Sequence, residues 1–233
     1  MELNEFFNLG EYASVKYCID KYCTNNKPIV FFEVGVNDGN TSGGFYSFVS
    51  ANNRNDNKYF AFEPYLRNYN KILKNKNFPI DKSGVELIKK AVNSKTGTFN
   101  LFASSGKAEG NPNEYEGCSS LLEPNEVVKN FPFLKFNNEL VECITIDDFC
   151  KEKNITSIDF IFADIQGAEL EMIKGAVEML PKIKFMFLEK SDNVVLYKNQ
   201  PLTNDLIDFM KENDFEVAKI FKCDILFYNK KLI

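Results

Sequence analysis

Short runs of apolar and β-branched residues, each closed by a polar or glycine-rich turn and followed by an apolar stripe of helical period, recur along this chain. Residues 29–34 (Ile-Val-Phe-Phe-Glu-Val) are apolar except for Glu33, as suits a strand buried on both faces, and Gly35 to Gly39 then form a Gly/Asn/Asp turn. Phe45, Phe48 and Val49 predict a helix after it, capped by Thr41 or Ser42 and weakened in its first turn by Gly43 and Gly44. A polar run at residues 52–58 predicts a loop. Further strands are expected at residues 59–62, 85–92, 97–102, 141–146, 158–163 and 182–188, and a closing antiparallel pair at 215–220 and 224–228. Helical stripes include Tyr12, Val15, Ile19 and Tyr22; Leu66, Tyr69, Ile72 and Leu73; Leu170, Ile173, Val177 and Leu180; and Leu206, Phe209 and Met210. Asp147 and Asp148 open another helix that runs to about Lys153. Strand and helix alternate, which predicts a parallel, doubly wound α/β sheet.

The pattern dissolves at residues 103–117, which are rich in breakers and predict a long loop of the kind that serves as a lid or stays disordered. The chain is therefore expected to be one domain over residues 1–233, with a helical extension at 1–28 and a loop or cap insertion at 103–140.

Composition narrows the chemistry. A net charge of −5 disfavours a broad nucleic-acid footprint, and the absence of histidine removes the commonest general base and transition-metal ligand. The six cysteines lack a CxxC pair and read as reduced, structural thiols. No stretch approaches the roughly 20 apolar residues of a membrane span, and the first residues are acidic, so a soluble, cytoplasmic protein is expected. The 23 phenylalanines read as core filling.

In such a sheet Glu33, Glu63, Asp164 and Glu189 all fall at carboxyl ends of strands, on the rim where ligands bind. Glu63 can accept hydrogen bonds from both hydroxyls of a ribose, or it can favour a helix dipole ahead of Pro64. Glu33-x-Gly35-x-x-x-Gly39 departs from the Gly-x-Gly-x-x-Gly of dinucleotide sites.

The ordered set Glu33-Val-Gly-Val-Asn-Asp-Gly39, Phe62-Glu63-Pro64, Thr145-Ile-Asp147 and Asp164-Ile-Gln-Gly-Ala-Glu169 resembles the FkbM family of S-adenosylmethionine-dependent methyltransferases over roughly residues 29–190. The resemblance implies a Rossmann-like, mostly parallel seven-stranded sheet with an antiparallel C-terminal strand and an inserted β-hairpin or cap region. It places Glu33, Gly35, Asn37, Asp38 and Gly39 around the methionine portion of the cofactor, Glu63 on its ribose, Ala91 near its adenine, and Asp164 with Gln166 beside the transferred methyl. Two positions depart from the family pattern: Ala163 stands where Lys is frequent and Gln166 where Glu is frequent.

Methyl transfer from a sulfonium needs positioning above all, so a strong base is optional. For a hydroxyl acceptor on a sugar, glycan or small metabolite, Asp164, Glu189 and Glu169 are the candidate bases; each has a structural alternative as a turn, helix-dipole or ion-pair residue. Ser119, Ser120 and Tyr115 are candidate substrate contacts, or simply polar loop residues, and no metal requirement is expected. Two other readings stay open. One is a non-catalytic cofactor-binding protein on the same scaffold. The other is an NAD-dependent oxidoreductase or epimerase, against which the missing glycine fingerprint and the lack of a Tyr-x-x-x-Lys pair count.

Overall fold

The computed structural model describes residues 9–23, 27–51 and 56–233. Part of the expected N-terminal extension (residues 1–8 and 24–26) and of the polar loop (52–55) lies outside the described residues. The main sheet contains β1 (Val30–Val34), β2 (Lys58–Phe62), β3 (Val85–Ile88), β7 (Ile158–Ala163), β8 (Ile183–Glu189), β9 (Phe215–Ile220) and β10 (Asp224–Asn229) in the order β3-β2-β1-β7-β8-β10-β9. The strands from β3 to β8 run parallel, and β10 is antiparallel to both β8 and β9. From β1 the chain builds outward one way through β2 and β3, then returns to the other side of β1 with β7. The crevice between the ends of β1 and β7 is thus a topological switch point, where open sheets bind ligands.

The two sheet faces are covered by different helices. Phe32, Val34, Phe60 and Ile161 pack with Phe149 and Cys150 of α5 (Ile146–Lys153), Met172 and Ile173 of α6 (Glu169–Lys174), and Leu206 and Met210 of α7 (Thr203–Glu212). Phe31, Tyr59, Phe160 and Phe185 face the other way, against Val15 and Ile19 of α1 (Glu11–Tyr22) and Phe45 and Val49 of α2 (Ser42–Ser50). On that face the rings of Tyr59, Phe31 and Phe160 stack across neighbouring strands at 5.2 and 5.4 Å, with Phe185 beyond at 6.0 Å. Such cross-strand aromatic pairs each add about 0.5–1.5 kcal/mol beyond area burial, which accounts for much of the phenylalanine content as core.

A second, three-stranded sheet in the order β4-β6-β5 sits beside the rim, built from β4 (Ala91–Val92), β5 (Gly97–Ser105) and β6 (Lys135–Ile144). The expected strand over 85–92 is in fact two. Ile88 ends a pairing with Phe62, and after Lys89 and Lys90 the chain pairs Ala91 with Cys143 in the other sheet. The loop expected from residue 103 begins only at Gly106, because Ala103, Ser104 and Ser105 continue the β5–β6 hairpin. Between these strands, residues 106–134 include the short α4 (Val127–Asn130) and connect to the region between β8 and α7 through a bridge of Pro124 to Tyr197. The helix expected from Leu170 to Leu180 ends at Lys174, and Val177 is exposed. Gly175 lies against the main chain of Asn93, where a Cβ would come within 2.2 Å of the carbonyl oxygen, and the chain leaves α geometry there. A short 3₁₀ turn, Leu180–Lys182, then leads into β8. The last helix of the β1 side, α3 (Leu66–Ile72), follows β2 directly.

Candidate active site

The rim is organised by the turn after β1. Gly35 (φ +89°) presses on the end of β7, so that a Cβ would stand 2.0 Å from the carbonyl oxygen of Asp164; no other residue type fits without moving the strand ends apart. Its N–H donates to the Phe62 carbonyl at 3.0 Å, and the N–H of Asn37, itself in the left-handed region, donates to Oε2 of Glu63 at 2.8 Å. The N–H of Tyr65 holds the other oxygen of Glu63 at 2.9 Å. Glu63 is thus fixed by two main-chain donors, with the buried Asn68 side chain as a further donor beside it. Burial pushes its carboxyl up to about 7, against the downward pull of those two N–H groups and of the Asn68 side chain.

Glu63 lines a pocket that is shared by both sheets. Val34, Gly35, Asn37, Ala91, Val92, Leu101, Ser119, Ser120, Leu121, Asp164 and Gln166 are among its walls. A second recess lies on the α1 side of the same turn and shares Gly35, Asn37 and Asp164 with the first; Glu11, Tyr12, Asp38, Thr41, Phe45, Phe162, Phe187 and Asp224 line it. The crevice therefore has two lobes that meet at the Gly35–Asp164 contact.

At that junction Gln166 (φ +56°) turns its amide nitrogen to Oδ1 of Asp164 at 2.7 Å and to Oε2 of Glu189 at 2.9 Å. The Asp164 carboxylate is accessible from the crevice, whereas Glu189 is half-buried. Both carboxyls are raised by desolvation among the crevice walls, Glu189 well above the usual range because the charges of Asp164 and Glu169 add to it. Glu169 is buried beneath the turn, where its carboxylate accepts from the Ile165 N–H at 2.9 Å; burial pushes it up to about 8.

Other expected site residues fall elsewhere. Glu33 is buried under the turn on the α2 side, accepting from the Tyr59 hydroxyl at 2.6 Å and the Thr41 hydroxyl at 3.2 Å, and burial brings its carboxyl to about 7. Thr41 consequently supports Glu33 and makes no side-chain cap on α2. Gly39 backs onto Ile72, Asn75 and Phe78, away from both lobes. Ser119 and Ser120 do line the first lobe, but their hydroxyls are committed to the Glu116 carbonyl at 3.0 Å and the Gln166 carbonyl at 2.8 Å. Tyr115 stands in an outer groove with Arg67 and Lys71, its ring against Phe133.

Several rim groups escaped the sequence reading. Asp224 begins an antiparallel strand, and the amino end of such a strand lies at the carboxyl rim of its parallel neighbours; its pairing with Glu189 shows this, and the rule was available from the predicted closing pair. Asn68, buried beside Asn37 on α3, and Leu101 and Leu121 on the cap side had no marker beyond helical or strand period. Tyr197 lies in a stretch without periodicity.

The chain matches the family model described as Methyltransferase FkbM domain over residues 33–217. It is 29% identical over 208 residues to the 2-O-methyltransferase NoeI of Sinorhizobium fredii (strain NBRC 101917 / NGR234), covering 87% of this chain and 80% of that protein. Among solved structures it is similar to the methyltransferase FkbM from Methylobacillus flagellatus KT, with a TM-score of 0.52 and 14% identity; the match covers 91% of this chain but spans only 47% of that one, and it bears on the fold alone. With most of its length under the family model and the rim motifs in place, the chain belongs to the FkbM methyltransferase family.

Proposed function

We propose that this protein is an S-adenosylmethionine-dependent O-methyltransferase whose acceptor is a hydroxyl of a sugar, a glycan or a small metabolite. The observation that carries this reading is the two-lobed crevice joined at Gly35 and Asp164. The residues present fit the cofactor. In the first lobe, a carboxylate fixed by main-chain donors stands beside the apolar walls of Val92, Leu101 and Leu121, which suits a ribose and a flat base with Ala91 alongside. In the second, Glu11, Asp38, Asp164 and Asp224 line the recess, with no Lys or Arg among the described lining residues, which suits the ammonium group and the sulfonium at the methionine end. When bound, S-adenosylmethionine supplies a methyl group already activated on a sulfonium.

The protein's own contribution is then orientation and proton handling. Glu63 accepts from the ribose hydroxyls, Gly35 and Asn37 let the ligand approach the turn, and Glu33 holds that turn from below. Asp164, which lines both lobes, is the first choice for receiving the acceptor's proton, and Glu189, joined to it through the Gln166 amide, the second, whereas Glu169 anchors the backbone. The absence of histidine leaves carboxylates to this work. The 2-O-methyltransferase named above supports a hydroxyl acceptor. The test is transfer of a labelled methyl group from S-adenosylmethionine to a panel of mono- and oligosaccharides, with added chelator in a parallel series. Label on a sugar oxygen, unaffected by chelation, is expected; binding of the cofactor with no transfer to any hydroxyl in the panel would favour a non-catalytic scaffold.

A further inference from the structure

Gln166 is held from behind. The fully buried Tyr197, between β8 and α7, places its hydroxyl 3.4 Å from Oε1 of Gln166 and donates to the Cys118 carbonyl at 2.8 Å. The Tyr197 N–H donates to Oε1 of Gln200 at 3.2 Å, and the Gln200 side chain packs on Gly167, where a Cβ would come within 2.9 Å of it. The orientation of the Gln166 amide is consequently determined. Its nitrogen donates to two carboxylates; turned over, it would set an acceptor against both acids and lose both of those bonds, while the Tyr197 hydroxyl, whose proton goes to the Cys118 carbonyl, only packs behind the amide.

We propose that Gln166 is a positioning residue that clamps Asp164 and Glu189 around one amide group, so that Asp164, which lines both lobes, is held as the base for the acceptor hydroxyl. The base role rests on the methyltransferase reading above; the clamp does not. Glutamine suits this position better than glutamate would, because a third carboxylate here would repel the other two, whereas the two N–H groups of an amide bind both. In the step itself the acceptor's O–H bond breaks, its electron pair stays on oxygen, the proton bonds to the Asp164 carboxylate, and it later leaves to water. The groups that face this pair are Glu169 from α6, Asp224 from β10, Cys118 from the loop after β5, Tyr197 and, from α1, Tyr12. Glu11 and Lys190 act on it through Asp224. The surroundings are mostly acidic or neutral, so the Gln166 donors are the main local groups favouring ionisation.

The experiment is a ¹³C carboxyl NMR titration of the whole chain as wild type, Gln166→Leu and Tyr197→Phe, with thermal unfolding and S-adenosylmethionine binding measured on the same samples. Removing the amide donors takes away stabilisation of the charged form, so Gln166→Leu is expected to move the first ionisation of the pair upward by about one pH unit. Tyr197→Phe, which keeps the ring and removes only the bond to the Cys118 carbonyl, is the packing control and is expected to leave it in place. A role limited to packing would lower Tm and leave the titration in place. An unchanged titration in Gln166→Leu would overturn the clamp. If Tyr197→Phe fails to fold, Gln166→Leu still decides. Wild-type protein that binds no S-adenosylmethionine would overturn the base role and the functional reading together, whatever the titration shows.

Discussion

Two buried carboxylates on the rim of the main sheet and the ion pairs of the cap beside it are held by different means. On the rim, Glu63 and Glu169 are buried and take their hydrogen bonds from main-chain N–H groups of the strand-to-helix turns. In the cap, the segment that covers the first lobe is held by side chains: Arg67 pairs with Glu114 and, at 2.7 Å, with Glu116, and Lys71 also reaches Glu116. Arg67 and Lys71 are about half exposed. Main-chain donors in a folded turn are fixed at no further entropic cost, whereas long exposed side chains lose freedom and are screened by salt. The rim is accordingly preorganised for a ligand, and the cap is a cover of adjustable strength.

Substitutions can break this contrast, beginning with the largest effect. Gly35→Ala forces a Cβ onto the Asp164 carbonyl at a positive φ, and is expected to destabilise the fold by about 2–4 kcal/mol and abolish cofactor binding, as read by denaturant unfolding and calorimetry. Glu63→Ala removes the fixed acceptor and leaves the Asn37 and Tyr65 N–H groups without their partner. Affinity for S-adenosylmethionine should fall by roughly 10²-fold, with the far-UV spectrum unchanged. Retained affinity would separate the rim carboxylate from ligand recognition.

The third effect is one of pH. Glu33 has a folded-state value of about 7, against roughly 4.3 for an unperturbed glutamate in the unfolded chain. Between these values the folded state carries more protons than the unfolded one, so this group's stabilisation is complete below about pH 4.3 and is lost as pH rises through 7. Glu33→Gln keeps the acceptor oxygen and removes the titration; at pH 8 it is expected to raise stability by on the order of 1–3 kcal/mol, with a flatter Tm profile between pH 5 and 8. An unaltered profile would mean that the burial of Glu33 carries no such penalty.

The smallest effect belongs to the cap. Arg67→Ala should cost less than about 1 kcal/mol in global stability yet speed hydrogen exchange in residues 106–117, and raising salt in the wild type should do the same. Faster exchange at the rim instead would contradict the division between the two regions.

The same division governs what the sequence revealed. Rim elements were legible because strand, turn and helix each leave a local signature: the apolar run at Val30–Val34 and the glycine turn after it identified β1, and the acids at strand ends followed from parallel topology. Glu33 was legible as a rim acid but not in its direction. A strand buried on both faces has no polar side to distinguish, and only the structure shows Glu33 on the α2 face with Phe31 while Val34 faces the crevice. The cap was mostly illegible. The break between Ile88 and Ala91 depends on two partner strands distant in sequence, and the tie from Tyr197 to Cys118 joins residues with no periodic context. Among the described residues no helix is long and apolar enough to cross a membrane.

The most direct measurement of the central claim is isothermal titration of the wild type and Glu63→Ala with S-adenosylmethionine, S-adenosylhomocysteine and NAD. The account predicts that the wild type binds both sulfur ligands and not NAD, and that the substitution weakens both. Binding of NAD alone, or equal binding by wild type and Glu63→Ala, would contradict it.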